Sequence, residues 1–394
     1  MKFRYFRRAI EPRIRKAGEN FPVIILTGPR QSGKSTLLSR IFPKHTYVSL
    51  DDPSFRALAK RDPKLFLSDF GSHVFIDEIQ YAPELLPFIK MSVDRNPDKG
   101  GAFVLTGSQI FPLMAGVSES LAGRAAIFEL LGFSWEEMPS AYPSSPASCF
   151  RQIFNGFYPR PALYGVPARE YYSSYLRTYL ERDIRQVKAV HDLNLFQSFL
   201  ELLAARAGSL LNLSDLARDC GISPSNAKQW ISLLETTRIL YLLRPYFRNL
   251  SKRIVKSPKV YFTDTGLLSY LLKYPNSETL RAGPMAGSIF ENMIVIEFLK
   301  QKFNHDRPYE LYFLRDSNNV EADILLDRGT GVELIEIKSS MTHSEREARP
   351  LENLGTSFKS FAGTILSQAD RPQRLSAHVK VMPWPFFEQI AARS

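Results

Sequence analysis

Eight consecutive residues, Gly28-Pro29-Arg30-Gln31-Ser32-Gly33-Lys34-Ser35, fit the spacing G-x-x-x-x-G-K-[ST], between an apolar β-branched run at 22–27 and a helical pattern that Ser35 and Thr36 are expected to cap. That context leaves little choice of fold. The glycines let the backbone double back, so that successive N–H groups and a helix N-terminus face one anion. Lys34 then neutralises terminal phosphate charge, and the Ser35 hydroxyl is placed to ligate magnesium. A loop of this kind needs a parallel strand feeding a helix, so the expected fold is α/β, a parallel sheet with helices on both faces. The expected cofactors are ATP and Mg2+, bound through Gly28, Pro29, Arg30, Gln31, Ser32, Gly33, Lys34, Ser35 and Thr36.

Further strands are predicted at 46–50, 73–76 and 102–106, each bounded by turn-forming residues. The run His73-Val74-Phe75-Ile76 ends in Asp77-Glu78. An acid at the C-terminal edge of a parallel strand faces the crevice where ligands bind. Asp77 is therefore expected to hold the magnesium hydration shell and Glu78 to polarise an attacking water, against the plainer reading of two turn acids. Phe103-Val104-Leu105 ends in Thr106-Gly107-Ser108-Gln109, where Ser108 or Gln109 is placed to sense the γ-phosphate or orient water. Arg124, in Leu121-Ala122-Gly123-Arg124, offers a guanidinium to the transferring phosphoryl, in its own subunit or in a neighbour of an oligomer; a surface ion pair is the competing reading. The catalytic set is thus Lys34, Asp77, Glu78, Ser108 and Arg124. No N-K-x-D guanine-reading motif occurs, which favours ATP over GTP. A P-loop kinase shares the cradle, but the paired acids favour water as the acceptor.

The segments ILTGPRQSGKSTLL, YVSLDDP, VFIDEIQYAPEL, VLTGSQ and SLAGRAAIFEL resemble a family of bacterial and archaeal AAA-type P-loop ATPases related to the archaeal ATPases and the STAND branch. In that family a C-terminal domain of unknown function follows, and YLRTYLERDI, VYFTDTGLL and GSIFENMIVIEF look like its landmarks. The resemblance spans nearly the whole chain. It implies ATP hydrolysis and a role for the arginine of the LAGR text.

With 394 residues the chain holds two or three domains, and 44% hydrophobic and 23% charged residues are ordinary globular values. No apolar run approaches the roughly 18 residues of a membrane span. Cys149 and Cys220 are too few for a disulfide framework or a four-cysteine zinc site, and the six histidines lack metal-ligand spacing. The basic first residues lack a secretory h-region, so a cytoplasmic protein without membrane contact is expected. The net charge of +11 is local. Residues 1–20 hold Lys2, Arg4, Arg7, Arg8, Arg13, Arg15 and Lys16 against two acids; residues 237–260 hold Arg238, Arg244, Arg248, Lys252, Arg253, Lys256 and Lys259 with none. Such fields attract polyanions. The alternatives are a solvated face or, for the first segment, an amphipathic helix packed by Phe3, Phe6 and Ile10.

After a Pro- and Ser-rich boundary at 138–149 and a helical stretch at 169–207, residues 211–262 read as a helix-turn-helix with a two-stranded wing. Ser214 is the expected cap of a helix burying Leu216, Ala217 and Cys220, and Gly221 turns the chain. Ser223-Pro224 starts a second helix burying Ala227, Trp230, Ile231 and Leu234. Lys228, Gln229, Arg244, Arg248, Lys252 and Arg253 are the expected DNA contacts. In the last third, Glu291 on a helix at 288–299, Asp323 on a strand, and Glu336-Ile337-Lys338 on the next converge in a pattern that resembles the PD-(D/E)XK nuclease core. Glu291, Asp323 and Glu336 would hold a second Mg2+, with Lys338 positioning water. A charged hairpin, or an inherited fold that no longer cleaves, explains the same residues. The expected domains are 1–136 (ATPase), 137–207 (helical lid), 208–275 (winged helix) and 280–394 (nuclease-like). The competing function is a nucleotide-dependent switch of STAND type whose C-terminal domains bind a protein partner.

Overall fold

The computed structural model describes residues 4–71, 73–95, 99–107, 120–139, 145–179, 192–247 and 257–393. The chain divides into two units, Met1–Glu137 with the short segments Thr236–Arg238 and Phe303–His305, and the remainder. The fold is α/β.

The first unit is built on a five-stranded parallel sheet of β1 (Val23–Thr27), β2 (Thr46–Ser49), β3 (Val74–Asp77), β4 (Phe103–Gly107) and β5 (Ala125–Glu129), in the order β2-β3-β4-β1-β5. A strand covered on both faces needs apolar residues at every position, and β1, Val-Ile-Ile-Leu-Thr, is buried throughout. Alternation then sends its side chains into two cores. On one face Val23 and Ile25 join Val48, Ile76 and Leu105 against α3 (Pro53–Arg61), α4 (Pro63–Phe70) and α5 (Leu85–Arg95). On the other, Ile24 and Leu26 join Phe75 and Val104 against α1 (Glu11–Asn20) and α2 (Lys34–Ile41). Each such Leu, Ile or Phe contributes about 1.5–3 kcal/mol by leaving water. Helices α3 and α4 start at Asp-Pro pairs, where the Asp52 and Asp62 carboxylates accept from the N–H groups of Ser54 and Leu65 at 2.8 and 3.0 Å.

Two local expectations are corrected here. Helix α2 is capped by Gly33 in left-handed backbone (φ 95°), with no side-chain cap, because the Ser35 hydroxyl is engaged elsewhere. Strand β5, whose Ala-Ala start carries little β signal, completes the sheet edge.

In the second unit a helix Leu213–Cys220 and a helix Pro224–Thr236 are joined at Gly221 (φ 72°), followed by the antiparallel pair β6 (Leu240–Leu243) and β7 (Lys259–Phe262). The first of these helices is capped by Asn212 and not Ser214: the Asn212 side-chain oxygen accepts from Ser214 and Asp215 N–H at 3.1 and 3.2 Å. The second buries Ala227, Trp230, Ile231 and Leu234 and leaves Lys228 and Gln229 exposed. A 20-residue helix, Ala286–His305, then leads into a mixed sheet of β8 (Glu310–Arg315), β9 (Glu321–Asp327), β10 (Val332–Lys338), β11 (Phe361–Ser367), β12 (Gln373–Arg374) and β13 (Val379–Pro383), ordered β12-β13-β11-β10-β9-β8. Among the described residues no helix is long and apolar enough to cross a membrane.

Candidate functional site

The loop after β1 turns through left-handed backbone at Gly28 (φ 140°), Gln31 (φ 61°) and Gly33 (φ 95°), which brings successive N–H groups toward its hollow. Gly28 is obligatory in packing terms, since a Cβ there would lie 2.1 Å from the Leu130 carbonyl oxygen. Lys34 is buried and folds back, donating to the carbonyls of Gly28 and Pro29, both at 2.9 Å. The Ser32 hydroxyl is fully buried and finds no hydrogen-bond partner among the described residues. A hollow lined by amide N–H groups, an orphaned hydroxyl and a lysine that donates to two neutral carbonyls fits a phosphate. Thr36 lies exposed in the first turn of α2.

Asp77, at the C-terminal end of β3, faces this loop. The Ser35 hydroxyl donates to its two carboxylate oxygens at 3.0 and 3.1 Å, and the Tyr47 hydroxyl donates to Oδ2 at 2.8 Å. The Thr106 hydroxyl also donates to Asp77, and in turn accepts from the Glu78 N–H at 3.1 Å. Partial burial, then the Asp77 charge, push the Tyr47 phenol up to about 12. Glu78 sits in left-handed backbone (φ 59°), an uncommon conformation for a residue with a Cβ. Its carboxylate lies 3.7 Å from the Arg30 guanidinium, and Arg30 also donates to the Tyr81 hydroxyl at 3.1 Å. The structure therefore brings Lys34, Ser35, Asp77, Glu78 and Arg30 together. Ser108 and Gln109 lie outside the described residues.

Arg124 is not part of this group. It precedes β5 and its carbonyl accepts from Val23 N–H at 3.2 Å, which places it at the N-terminal edge of the sheet, a full strand of about 16 Å from the loop. Its guanidinium is paired with Asp94 at 2.5 Å. The expectation that Arg124 serves the phosphate of its own subunit is corrected on that ground.

Three supporting residues were not foreseen. Thr106 and Tyr47 meet Asp77 only through the registers of β4 and β2 beside β3. Arg8, counted above in a basic cluster, is 4% exposed and braces the loop from behind. It donates to the Ser32 carbonyl at 3.0 Å and to the Leu131 and Gly132 carbonyls at 3.0 and 3.1 Å, pairs with Glu137 at 3.0 Å, and lies 4.2 Å over the Phe133 ring. Its charge is thus unavailable to a polyanion.

In the second unit Lys259 changes the reading of two groups at once. Placed by sequence on a basic wing, it is 3% exposed on β7, and its ammonium lies 3.1, 2.5 and 3.1 Å from the carboxylates of Glu291, Glu321 and Asp323. Burial opposes its charge, but the three acids outweigh burial and raise its pKa. Tyr261 donates to Glu291 at 2.6 Å, Ile337 N–H donates to Asp323 at 2.9 Å, and Lys338 pairs with Glu336 at 2.6 Å. Burial, then repulsion from Asp323, push Glu291 and Glu336 each up to about 7. Among the described residues no group of three His, Cys, Asp or Glu side chains is arranged to hold a metal ion. The set Glu291, Asp323 and Glu336 with Lys338 thus does not fit a second magnesium as expected, because an ammonium lies between Glu291 and Asp323 and Glu336 pairs with its neighbour. Of the expected DNA contacts, Lys228, Gln229 and Arg244 are exposed, Arg244 at 3.6 Å from Glu235, and Arg248, Lys252 and Arg253 lie outside the described residues.

A parallel sheet in which the inner strand β1 feeds this loop, with a serine-bound aspartate at the end of β3 on the far side of β4, defines a P-loop ATPase-type α/β protein. Residues 20–139 match the family described as AAA domain, 147–278 a domain of unknown function (DUF8612) and 286–387 a domain of unknown function (DUF4143). Uncharacterized protein Rv2008c of Mycobacterium tuberculosis and Uncharacterized protein Mb2031c of Mycobacterium bovis are each 31% identical over 343 residues, covering 86% of this chain and 75% of theirs. The chain belongs to this family of AAA-type P-loop ATPases with a C-terminal DUF4143 domain. Among solved structures, the Walker-type ATPase PABY2304 of Pyrococcus abyssi is similar at TM-score 0.45 and 15% identity, over 66% of this chain and 94% of that one. A STAND protein with a tetratricopeptide repeat sensor, PH0952 from Pyrococcus horikoshii, aligns at TM-score 0.25 and 12% identity, over 77% of this chain and 48% of that one.

Proposed function

We propose that this chain binds Mg-ATP at the loop Gly28–Ser35 and hydrolyses it. The observation that carries the reading is the Ser35–Asp77 contact at 3.0 and 3.1 Å, which joins the loop hydroxyl to a strand-end carboxylate. A divalent ion bound there would neutralise charge on the transferring phosphoryl. Ser35 and Asp77 would hold that ion and its waters, and Tyr47 and Thr106 fix the carboxylate by donating to it. Lys34 exchanges two neutral carbonyls for phosphate oxygens. Glu78, whose backbone N–H is tied to Thr106, orients and polarises water. Only a phosphate held by a neighbouring copy remains within reach of Arg124. The test is phosphate release: Glu78→Gln should lower turnover at least about 100-fold while nucleotide remains bound, and wild-type turnover in that variant removes the glutamate from the mechanism.

A second reading concerns DNA. The exposed face of the helix Pro224–Thr236 carries Lys228 and Gln229 opposite its buried Trp230, and Arg244 is exposed after β6. This supports a winged-helix contact to DNA through Lys228, Gln229, Arg244, Arg248, Lys252 and Arg253. Affinity should then fall steeply with salt, and Arg244→Ala should reduce the slope by about one unit. Salt-insensitive or absent DNA binding favours instead a nucleotide switch that signals to a protein partner.

A further inference from the structure

We infer that the Lys259 ammonium is the resident cation of the carboxylate cluster in the C-terminal region, so that this cluster takes no divalent metal and the region does not cleave nucleic acid through it. The geometry is that of a filled site. Three carboxylates from two elements, Glu291 on the helix Ala286–His305 and Glu321 and Asp323 on β9, converge within 3.1 Å of one nitrogen. A cation of any kind would settle at that point, and a lysine already occupies it.

The lysine is fixed in place by its backbone as well as by its charge. Strand β7 pairs antiparallel with β6, Leu243 opposite Lys259, and Leu210 bridges Lys259 on the other side. Three residues along β7 from Lys259, the Phe262 N–H donates to the Asn292 side-chain oxygen at 2.8 Å while the Asn292 amide donates to the Phe262 carbonyl at 2.8 Å. The residue after Glu291 therefore anchors the same strand that carries the ammonium. Moving the backbone that carries Lys259 would have to break this strand away from the helix.

Several of the oxygens that a metal ion would need are already committed. Asp323 gives one oxygen to Lys259 and the other to Ile337 N–H, and one Glu291 oxygen accepts from both Lys259 and Tyr261. Glu336 is held by Lys338. Magnesium demands near-octahedral oxygen ligation at about 2.1 Å. It would meet an ammonium at its own position, and displacing that ammonium would leave a buried positive charge without a partner. The consequence for function is that this region binds or transmits, with Lys259 pinning β7 to β9 and the helix.

The test uses the full chain without nucleotide and Mn2+ as a spectroscopic probe for magnesium sites. Wild type is expected to show no Mn2+ binding that Asp323→Asn removes, and no Mg2+-dependent cleavage of DNA that Asp323→Asn abolishes. Lys259→Met, if it folds, should create a Mn2+ site at least about 100-fold tighter than anything Asp323-dependent in wild type. A stoichiometric Mn2+ site in wild type that Asp323→Asn abolishes overturns the inference, as does a folded Lys259→Met chain that gains no site. The wild-type measurement decides by itself should Lys259→Met fail to fold.

Discussion

Among the buried lysines, Lys34 of the first unit and Lys259 of the second sit in opposite chemical settings. Lys34 donates to two carbonyls of its own loop, both neutral, beside a buried serine hydroxyl with no described partner. Lys259 is surrounded by three carboxylates and held on a strand whose every position is buried. Releasing Lys34 gives up its bonds to two neutral carbonyls, which phosphate oxygens replace with stronger pairs between opposite charges. Releasing Lys259 uncouples a buried charge from its counter-charges, at about 3–5 kcal/mol. The first arrangement suits a group that changes partners during a cycle, and the second a group that never does.

That contrast is broken or sharpened by substitution. The largest effect is expected for Lys259→Met, which leaves three carboxylates facing one another and should destabilise the second unit by about 3–5 kcal/mol in chemical denaturation. Less is expected from Arg8→Ala. It removes the brace on the Ser32 carbonyl and the buried partner of Glu137, for about 2–3 kcal/mol in the first unit, together with weaker nucleotide binding. Arg8→Lys keeps the charge but not the planar fork, so it should recover only part of either loss. The smallest change is expected for Lys34→Ala, about 1–2 kcal/mol of stability, because it leaves two neutral carbonyls behind and no uncompensated charge. If Lys34→Ala and Lys259→Met cost the same, the two lysines are not different in kind.

The sequence made the phosphate loop legible because all of its chemistry lies within eight adjacent residues and between a strand and a helix. Asp77 and Glu78 followed from their place at a strand end. Their supports did not, because Tyr47 and Thr106 reach Asp77 across strands, and Arg8 finds its partners at 32, 131, 132 and 137. A charge count also treats every lysine as solvated. Lys259 thus counts toward the basic segment at 237–260, although its carboxylate partners, between 32 and 64 residues away, draw it inside. The parallel sheet was readable from its four apolar runs, while β5 escaped because Ala125 and Ala126 gave it no β-branched start.

The central claim, that the loop is a nucleotide site operated by an exchangeable lysine, is tested most directly by calorimetric titration of Mg-ATP into wild type and Lys34→Ala. The account predicts a single site in wild type and affinity at least about 30-fold weaker in the variant, with the fold of both intact by circular dichroism. Equal affinity in the two proteins would contradict it.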